Sequence, residues 1–216
     1  MAQNSDIVRS LLGLVIMAAI AGLVIGFSES LSRERIAENQ RNALLATLHQ
    51  VIDPGLYDND LLSSHRRITV APLLNPTGPA DAYLATWAGK PVAVLFGAKA
   101  LDGYNGAIEL LVAVRFDGSL GGVRVLSHRE TPGLGDNIDA SRSDWILQFK
   151  GLSLQRPNRS DWAVKADGGV FDGLTGATVT PRAIIKAVRN ALLYFEQRQT
   201  ELVDTWPIPP QPGNDS

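Results

Sequence analysis

The sequence of 216 residues contains no cysteine. This absence excludes disulfide bonds, thiolate chemistry and iron–sulfur ligation, and it removes most kinds of zinc site. The three histidines, His49, His65 and His128, are far apart in the sequence and lack the spacing of metal ligands. We therefore predict no metal site, and any redox chemistry must come from a bound organic cofactor.

The sequence also lacks an excess of charge of either sign. It has 20 basic and 22 acidic residues, for a formal net charge of −2. A balance of this kind does not indicate a nucleic-acid surface, so we expect no nucleic-acid partner. The 20 glycines favour a loop-rich α/β or α+β domain over a helix bundle, and the length suits one domain with an appendage.

Charge is absent from one long stretch near the N terminus. The run from Leu11 to Phe27 is entirely apolar and reaches about 26 Å as a helix, against a hydrocarbon core of about 30 Å. Ile7 and Val8 lengthen it, while the side chain of Arg9 can extend to the membrane interface. We predict a single membrane anchor over residues 7–27.

A cleaved signal peptide is the alternative interpretation of this segment, because small residues near Ala21 and Gly26 resemble cleavage sites. We favour a retained anchor, since a helical pattern resumes after it with no spacer. Arginines 33, 35 and 41 follow the segment, and by the positive-inside rule they favour a cytoplasmic domain. That rule is weak for long translocated domains.

After the anchor, the sequence predicts an α+β fold with a mostly antiparallel sheet and flanking helices. A stalk helix is expected over Glu29–Ile52 and is ended by Asp53-Pro54-Gly55. The Asp117-Gly118 pair predicts a hairpin. The predicted strands are Arg67–Leu74, Tyr83–Trp87, Pro91–Phe96, Ala107–Phe116, Leu120–Ser127 and Asp161–Ala166, with a short helix over Ser143–Gly151.

A loop of small residues leads into a long helix near the C terminus. It runs from Asp172 to Thr180, DGLTGATVT, and precedes Pro181. We predict Thr180 as the N-cap and Pro181 as the first helical residue, because apolar residues then recur at helical spacing. The positive end of the helix dipole favours a phosphate at this loop. On the residues alone, a tight turn that caps a surface helix is the favoured interpretation.

The segment Asp172–Thr178 contains Asp-x-x-Thr-Gly-Ala-Thr. It resembles the motif of a family of FMN-binding domains in which flavin mononucleotide is esterified through its phosphate to a threonine. Such domains occur in the G subunit of the Rnf-type ion-translocating electron transport complex and in the C subunit of the Na+-pumping NADH:quinone oxidoreductase. The residue that matches the acceptor is Thr178.

A second segment strengthens the resemblance. Glu130–Gly135, ETPGLG, follows the predicted hairpin and matches, position for position, a segment that this family carries after its central hairpin. Two unrelated motifs in the expected order are more specific than either alone. The resemblance extends from Tyr104 to Gln197. A short chain with one anchor and this Thr-Gly-Ala-Thr spelling is more similar to the Rnf type.

The resemblance implies one covalent FMN, attached by a phosphoester to Thr178. It also implies a separate flavin transferase that uses FAD, because no base lies near Thr178 to activate its hydroxyl. Asp172 and Thr175 are then recognition elements for that enzyme, while the Glu130–Gly135 loop lines the flavin ring, with Thr131 as a donor. The expected cofactor-binding residues are Thr178, Thr175, Gly176, Ala177, Asp172, Glu130, Thr131, Gly133 and Leu134.

Four segments are expected. A cytoplasmic tip and transmembrane anchor span residues 1–28, a stalk helix and connector residues 29–75, a single FMN-binding domain residues 76–200, and a Pro-rich tail residues 201–216. Following the family, we expect an inner-membrane protein with a single span and a periplasmic FMN domain. Its expected partners are other membrane subunits of an Rnf-type complex and, through residues 7–27, the lipid bilayer.

The implied function is that of an electron-carrying flavoprotein subunit in a complex that couples electron transfer to ion translocation. No paired general acid and base is present, so we expect no independent substrate turnover. Two alternatives remain at this stage. One is a membrane-anchored sensor or scaffold that binds a phosphorylated ligand non-covalently. The other is the equivalent subunit of the Na+-pumping NADH:quinone oxidoreductase.

Overall fold

The computed structural model describes residue 17, residues 38–39 and residues 41–206. The chain divides into two compact units, Met1–Leu44 and Leu45–Ser216. The residues described in the first unit are helical. Helix α1 occupies residues 41–49, and the beginning of the predicted stalk helix lies outside the described residues.

The predicted membrane anchor lies outside the described residues, apart from Met17, which is helical. Among the described residues, no helix combines the length and the apolar content that crossing a membrane requires.

Five antiparallel strands form one sheet in which each strand pairs with the next along the chain. The two longest strands are buried on both faces in their middle sections, and they are partly exposed at their ends. The strands are β1 (Arg66–Ile68), β2 (Ala80–Trp87), β3 (Lys90–Gly103), β4 (Gly106–Arg115) and β5 (Leu120–Ser127). The mostly antiparallel α+β domain expected from the sequence is confirmed.

One face of the sheet packs against helix α2, which spans Val179–Thr205. Alternate β3 residues, Val94 and Phe96, belong to the same buried cluster as Val188 and Phe195 of the helix. Phe96 also meets the ring of Tyr194 at 5.7 Å in an edge-to-face arrangement. Each such buried side chain contributes about 1.5–3 kcal/mol relative to its exposed state. The helix is thereby fixed across the sheet.

The opposite face of the sheet packs against the end of α1 and the turn that follows it. Ala93 and Leu95, the intervening residues of β3, cluster with Leu48, Val51 and Ile52. The sheet therefore lies between two helical layers within the unit Leu45–Ser216. The carboxylate of Asp53 accepts a hydrogen bond from the Gly55 N–H and caps the 3-10 turn Pro54–Leu56.

Three of the predicted elements are corrected by the structure. The first strand ends at Ile68, since residues 71–74 form a turn that contains Pro72. Helix α1 ends at residue 49, and Ile52 is a buried turn residue. The segment Asp161–Ala166 is not a strand. It consists of parts of two 3-10 turns, Arg159–Asp161 and Lys165–Asp167, separated by residues 162–164, and Val164 forms an isolated bridge to Phe171.

The C-terminal boundary also differs from the expectation. Helix α2 continues to Thr205, into the segment predicted as a Pro-rich tail. Trp206, which follows it, is buried, and its indole N–H donates to the carbonyl of Ser64 at 3.0 Å. The guanidinium of Arg66 lies over the ring, 5.7 Å from its centroid. Trp206 therefore belongs to the core. Residues 207–216 lie outside the described residues.

The segment after the Lys165–Asp167 turn passes very close to the backbone that precedes it. A Cβ at Gly169 would lie 2.0 Å from the carbonyl oxygen of Ala163. We therefore expect Gly169→Ala to lower the free energy of unfolding by about 1–3 kcal/mol, because the backbone must move apart. Urea unfolding of the full-length chain in detergent, followed by tryptophan fluorescence, measures this.

Gly173→Ala is the matched control, because no atom lies within 4 Å of the added methyl group. We expect it to change the free energy of unfolding by less than about 0.5 kcal/mol. Equal unfolding midpoints for the two variants would show that the close approach at Gly169 is not rigid.

Candidate functional site

The two motifs singled out in the sequence meet at one cavity of about 270 Å³. Three segments form its walls: the turn between β3 and β4, the loop that follows β5, and the beginning of helix α2. The lining residues are Tyr104, Glu130, Thr131, Leu134, Gly135, Gly176, Ala177, Thr178, Val179 and Thr180.

The carboxylate of Glu130 connects these three segments. Glu130 is 4% exposed, and its two oxygens have different partners. Oε1 accepts the backbone N–H of Asn105 at 3.0 Å, and Oε2 accepts the hydroxyl of Thr180. A buried carboxylate is costly unless both oxygens are hydrogen-bonded, so these contacts determine how the segments fit together.

His128 positions the backbone of Glu130. Its Nδ1 accepts the N–H of Glu130 at 3.0 Å, and its Nε2 lies 3.1 Å from Oδ2 of Asp139. Because Nδ1 accepts, the proton of the neutral ring is on Nε2 and is donated to Asp139. The imidazole therefore serves as a bridge between the loop and the following turn.

Two glycines allow the motifs to approach each other. A Cβ at Gly135 would lie 3.0 Å from Oε2 of Glu130 and 3.2 Å from Oγ1 of Thr180. Gly176 has a φ of +78°, and a Cβ there would lie 2.8 Å from Cδ2 of Leu134. Side chains at these two positions would push the Glu130–Gly135 loop away from the loop that precedes α2.

Thr178, and not Thr180, is the N-cap residue of α2, which corrects the sequence prediction. The Thr178 side chain makes no capping hydrogen bond, and the residue is exposed. Thr180 is completely buried, and its hydroxyl donates a hydrogen bond to the carboxylate of Glu130. The hydroxyl of Thr178 is therefore presented at the positive end of a helix dipole, beside the cavity.

The structure brings six of the nine predicted site residues to the cavity wall: Glu130, Thr131, Leu134, Gly176, Ala177 and Thr178. Asp172, Thr175 and Gly133 are exposed and do not line it. The amine of Lys165 lies 2.6 Å from Oδ1 of Asp172. Trp145, which is not among the predicted site residues, lies in the core, and its indole N–H donates to the carbonyl of Asp172 at 2.7 Å.

Several residues at the site are not among those predicted from the sequence. Tyr104 and Asn105 lie between the predicted strands Pro91–Phe96 and Ala107–Phe116, yet Tyr104 lines the cavity and the Asn105 side-chain amide donates to Oγ1 of Thr131 at 3.1 Å. Gly135, Val179 and Thr180 also line it. Gly135 is part of the ETPGLG motif, and Val179 and Thr180 end the DGLTGATVT loop, so the sequence offered a signal for these three. Tyr104 and Asn105 are brought to the site by contacts between distant segments.

Comparison with protein families defines the class of this domain. Residues 103–193, which include every lining residue of the cavity, match the model of the FMN-binding domain. Residues 1–51 match the model of the RnfG N-terminal region.

Two relatives extend the match to almost the whole chain. The G subunit of an ion-translocating oxidoreductase complex from Shewanella loihica is 45% identical over 195 residues, which are 90% of this chain and 91% of the relative. The protein of the same name from Pseudomonas aeruginosa is 43% identical over 202 residues, which are 94% of each chain. The chain belongs to the family of G subunits of ion-translocating oxidoreductase complexes.

The bond between Thr180 and Glu130 can be tested by stability. Thr180→Val keeps the branched shape but leaves one oxygen of a buried carboxylate without its donor. We expect the free energy of unfolding to fall by about 1–3 kcal/mol, measured by urea unfolding of the full-length chain in detergent.

Thr180→Ser retains the hydroxyl and should recover most of this loss. Thr175→Val, on the same loop but exposed, should leave stability unchanged. The role of the Thr180–Glu130 contact would be contradicted by a Thr180→Val protein as stable as the wild type.

Proposed function

We propose that FMN is attached to Thr178 through a phosphoester and that electrons pass through it within an ion-translocating oxidoreductase complex. The chain is a flavoprotein subunit of such a complex, by its family and its FMN-binding domain. The observation that carries the attachment site is the position of Thr178. Its hydroxyl is exposed, is not used in capping, and lies where both motifs line one cavity.

The residues around Thr178 fit a phosphoester. The N–H groups of Val179 and Thr180 belong to the first turn of α2, where backbone donors have no partner within the helix. Pro181 has no N–H, and no residue of the first turn is acidic. A phosphodiester at Thr178 would therefore meet backbone donors and the positive end of the dipole, without repulsion from a neighbouring carboxylate of that turn.

The chain does not activate its own acceptor. The Thr178 hydroxyl has no hydrogen bond to a basic side chain among the described residues, and an unassisted threonine is a weak nucleophile. A separate flavin transferase is therefore required. Asp172, Thr175 and Thr178 are exposed along one short loop, so an enzyme can reach all three.

Bound FMN supplies one-electron and two-electron redox chemistry. The chain's own residues hold the cofactor and shape its surroundings. Tyr104 and Leu134 are 69% and 42% exposed at the cavity and offer apolar surface to a planar ring. Thr131 accepts from Asn105, so its hydroxyl proton remains available to a ligand.

The membrane position belongs to the same proposal. Residues 7–27 form a single span that is retained, the FMN domain is periplasmic, and the partners are the other membrane subunits of the complex. The uninterrupted apolar run Leu11–Phe27 and the family match over residues 1–51 support the anchor, and the periplasmic side is what the resemblance implies.

Attachment at Thr178 predicts a simple fluorescence result. The wild type, produced together with the flavin transferase, should give a band that fluoresces under ultraviolet light on a denaturing gel. Thr178→Ala should give a dark band, because only the covalent bond survives denaturation. Thr200→Ala, an exposed threonine on α2, should remain fluorescent. A dark wild-type band, or a fluorescent Thr178→Ala band, would reject the attachment site.

Recognition by the transferase predicts a second result. Asp172→Ala should slow FMN transfer from FAD by about tenfold or more, because a charged contact with the enzyme is lost. The rate is measured from the growth of in-gel fluorescence with purified transferase. Lys165→Gln removes the ion-pair partner of Asp172 and should leave the rate unchanged. Equal losses in both variants would show that Asp172 acts only by shaping the loop.

A further inference from the structure

A second and larger cavity, of about 660 Å³, lies away from Thr178. It is formed by the end of α1 and the turn after it, by the β4–β5 hairpin, and by the 3-10 helix Asp144–Phe149. None of its lining residues lines the cavity at Thr178. Its volume is within the range of about 300–1,000 Å³ that is typical of small-ligand pockets.

Cationic side chains dominate the charge of this cavity. Arg115, Arg124 and Lys150 line it, against the single carboxylate of Asp53. Oδ1 of Asp53 already accepts the N–H of Gly55 in its own turn. Within the described part of the chain, no carboxylate lies within 4 Å of the three cationic groups. The lining therefore carries a net positive charge.

The strongest evidence for an anion-binding site in this cavity comes from the side chain of Arg124. Its Nη1 donates to the carbonyl of Val123 at 2.7 Å, while its buried Nε has no hydrogen-bond partner among the described residues. Burial lowers the pKa of Arg124, because the surrounding protein disfavours the charged form of its guanidinium. Partial removal of a guanidinium from water is unfavourable when no carboxylate pairs with it. Because the positive charge is delocalised over all three nitrogens, an anion bound at the other nitrogens would offset the cost of burying Nε.

Asp117 does not provide this compensation. It acts electrostatically with Arg115, but its Oδ1 accepts both the N–H and the hydroxyl of Ser119. It does not line the cavity. The positive charge of Arg124 and Lys150 therefore remains available to a ligand.

The rest of the wall is apolar. Ile52 and Ile146 are buried, whereas Leu56 and Leu147 are 42% and 39% exposed. A small inorganic ion would satisfy the cationic groups and leave this surface uncovered. The cavity is suited to a molecule that has an anionic head and an apolar part.

We propose that this cavity binds a phosphate ester with an apolar substituent. The phosphate contacts Arg124 and Lys150, and the substituent packs against Leu56, Ile146 and Leu147. A phosphate monoester carries close to two negative charges and three acceptor oxygens, which match the lining charge and the forked donors of arginine better than one carboxylate does. The proposal is independent of the attachment at Thr178.

The test uses the full-length flavinylated chain in phosphatidylcholine nanodiscs and titration calorimetry with hexyl phosphate. We expect saturable binding of one molecule per chain, weaker binding of inorganic phosphate, and none of hexanol. Arg124→Gln should weaken the binding of hexyl phosphate by about tenfold, the loss expected for one charge-assisted contact. Lys150→Gln, at an exposed position, should weaken it as well.

Lys90→Gln is the matched control, because Lys90 is exposed, lies at the beginning of β3 and does not line the cavity. It should bind hexyl phosphate as the wild type does. Equal affinity in the wild type and in both Arg124→Gln and Lys150→Gln overturns the proposal, as does the absence of saturable binding. Retained flavin fluorescence and an unchanged melting temperature establish that each variant is folded.

The same titration distinguishes the two sources of such an ester. Nanodiscs that contain phosphatidic acid present the headgroup of a phosphate monoester lipid beside the protein. Weaker hexyl phosphate binding in these discs than in phosphatidylcholine discs assigns the cavity to a lipid. Equal binding in both assigns it to a soluble phosphate ester.

Discussion

The site depends on one buried carboxylate and its two donors. Glu130 joins the β3–β4 turn, through the N–H of Asn105, to the beginning of α2, through the hydroxyl of Thr180. Removing either donor would leave a desolvated oxygen unpaired, so the two bonds constrain both segments together. Gly135 and Gly103 give this carboxylate its space, since a Cβ at either would approach its oxygens to about 3 Å. The position of Thr178 follows, because α2 cannot move independently of the loop.

The elements predicted well from the sequence are those determined by local signals. The Asp117-Gly118 turn identified the β4–β5 hairpin almost to the residue, since few other backbone conformations suit that pair. The apolar spacing of α2 predicted a helix because its buried face meets the sheet along most of its length. The resemblance through Asp172–Thr178 and Glu130–Gly135 indicated which loops carry the site, and the structure places both at one cavity.

The errors arose where distant contacts outweighed local preference. Thr180 and Pro181 resemble a helix start, but a carboxylate fifty positions earlier in the sequence uses the Thr180 hydroxyl, and the helix begins before it. The alternation of Trp162 and Val164 resembles a strand. Both side chains are buried in the core, although the chain there forms two short turns and no strand. The outer strand β5 is hydrogen-bonded elsewhere: the N–H of Leu120 donates to the carbonyl of Leu152. An alternating pattern of apolar residues indicates which side chains are buried, and a side chain can be buried without lying on a strand that pairs with a neighbour.

The same geometry explains why a covalent bond suits this cofactor. The cavity beside Thr178 is only about 270 Å³, and its apolar side chains Tyr104, Leu134 and Val179 are 69%, 42% and 39% exposed. The dipole of α2 contributes about 0.3–1 kcal/mol to an anion at its N terminus, which corresponds to less than a tenfold gain in affinity. A shallow site with so little electrostatic assistance would lose a freely dissociating flavin to dilution. The proposed phosphoester at Thr178 would allow the ring to stay accessible to electron-transfer partners, since retention would no longer depend on enclosing it.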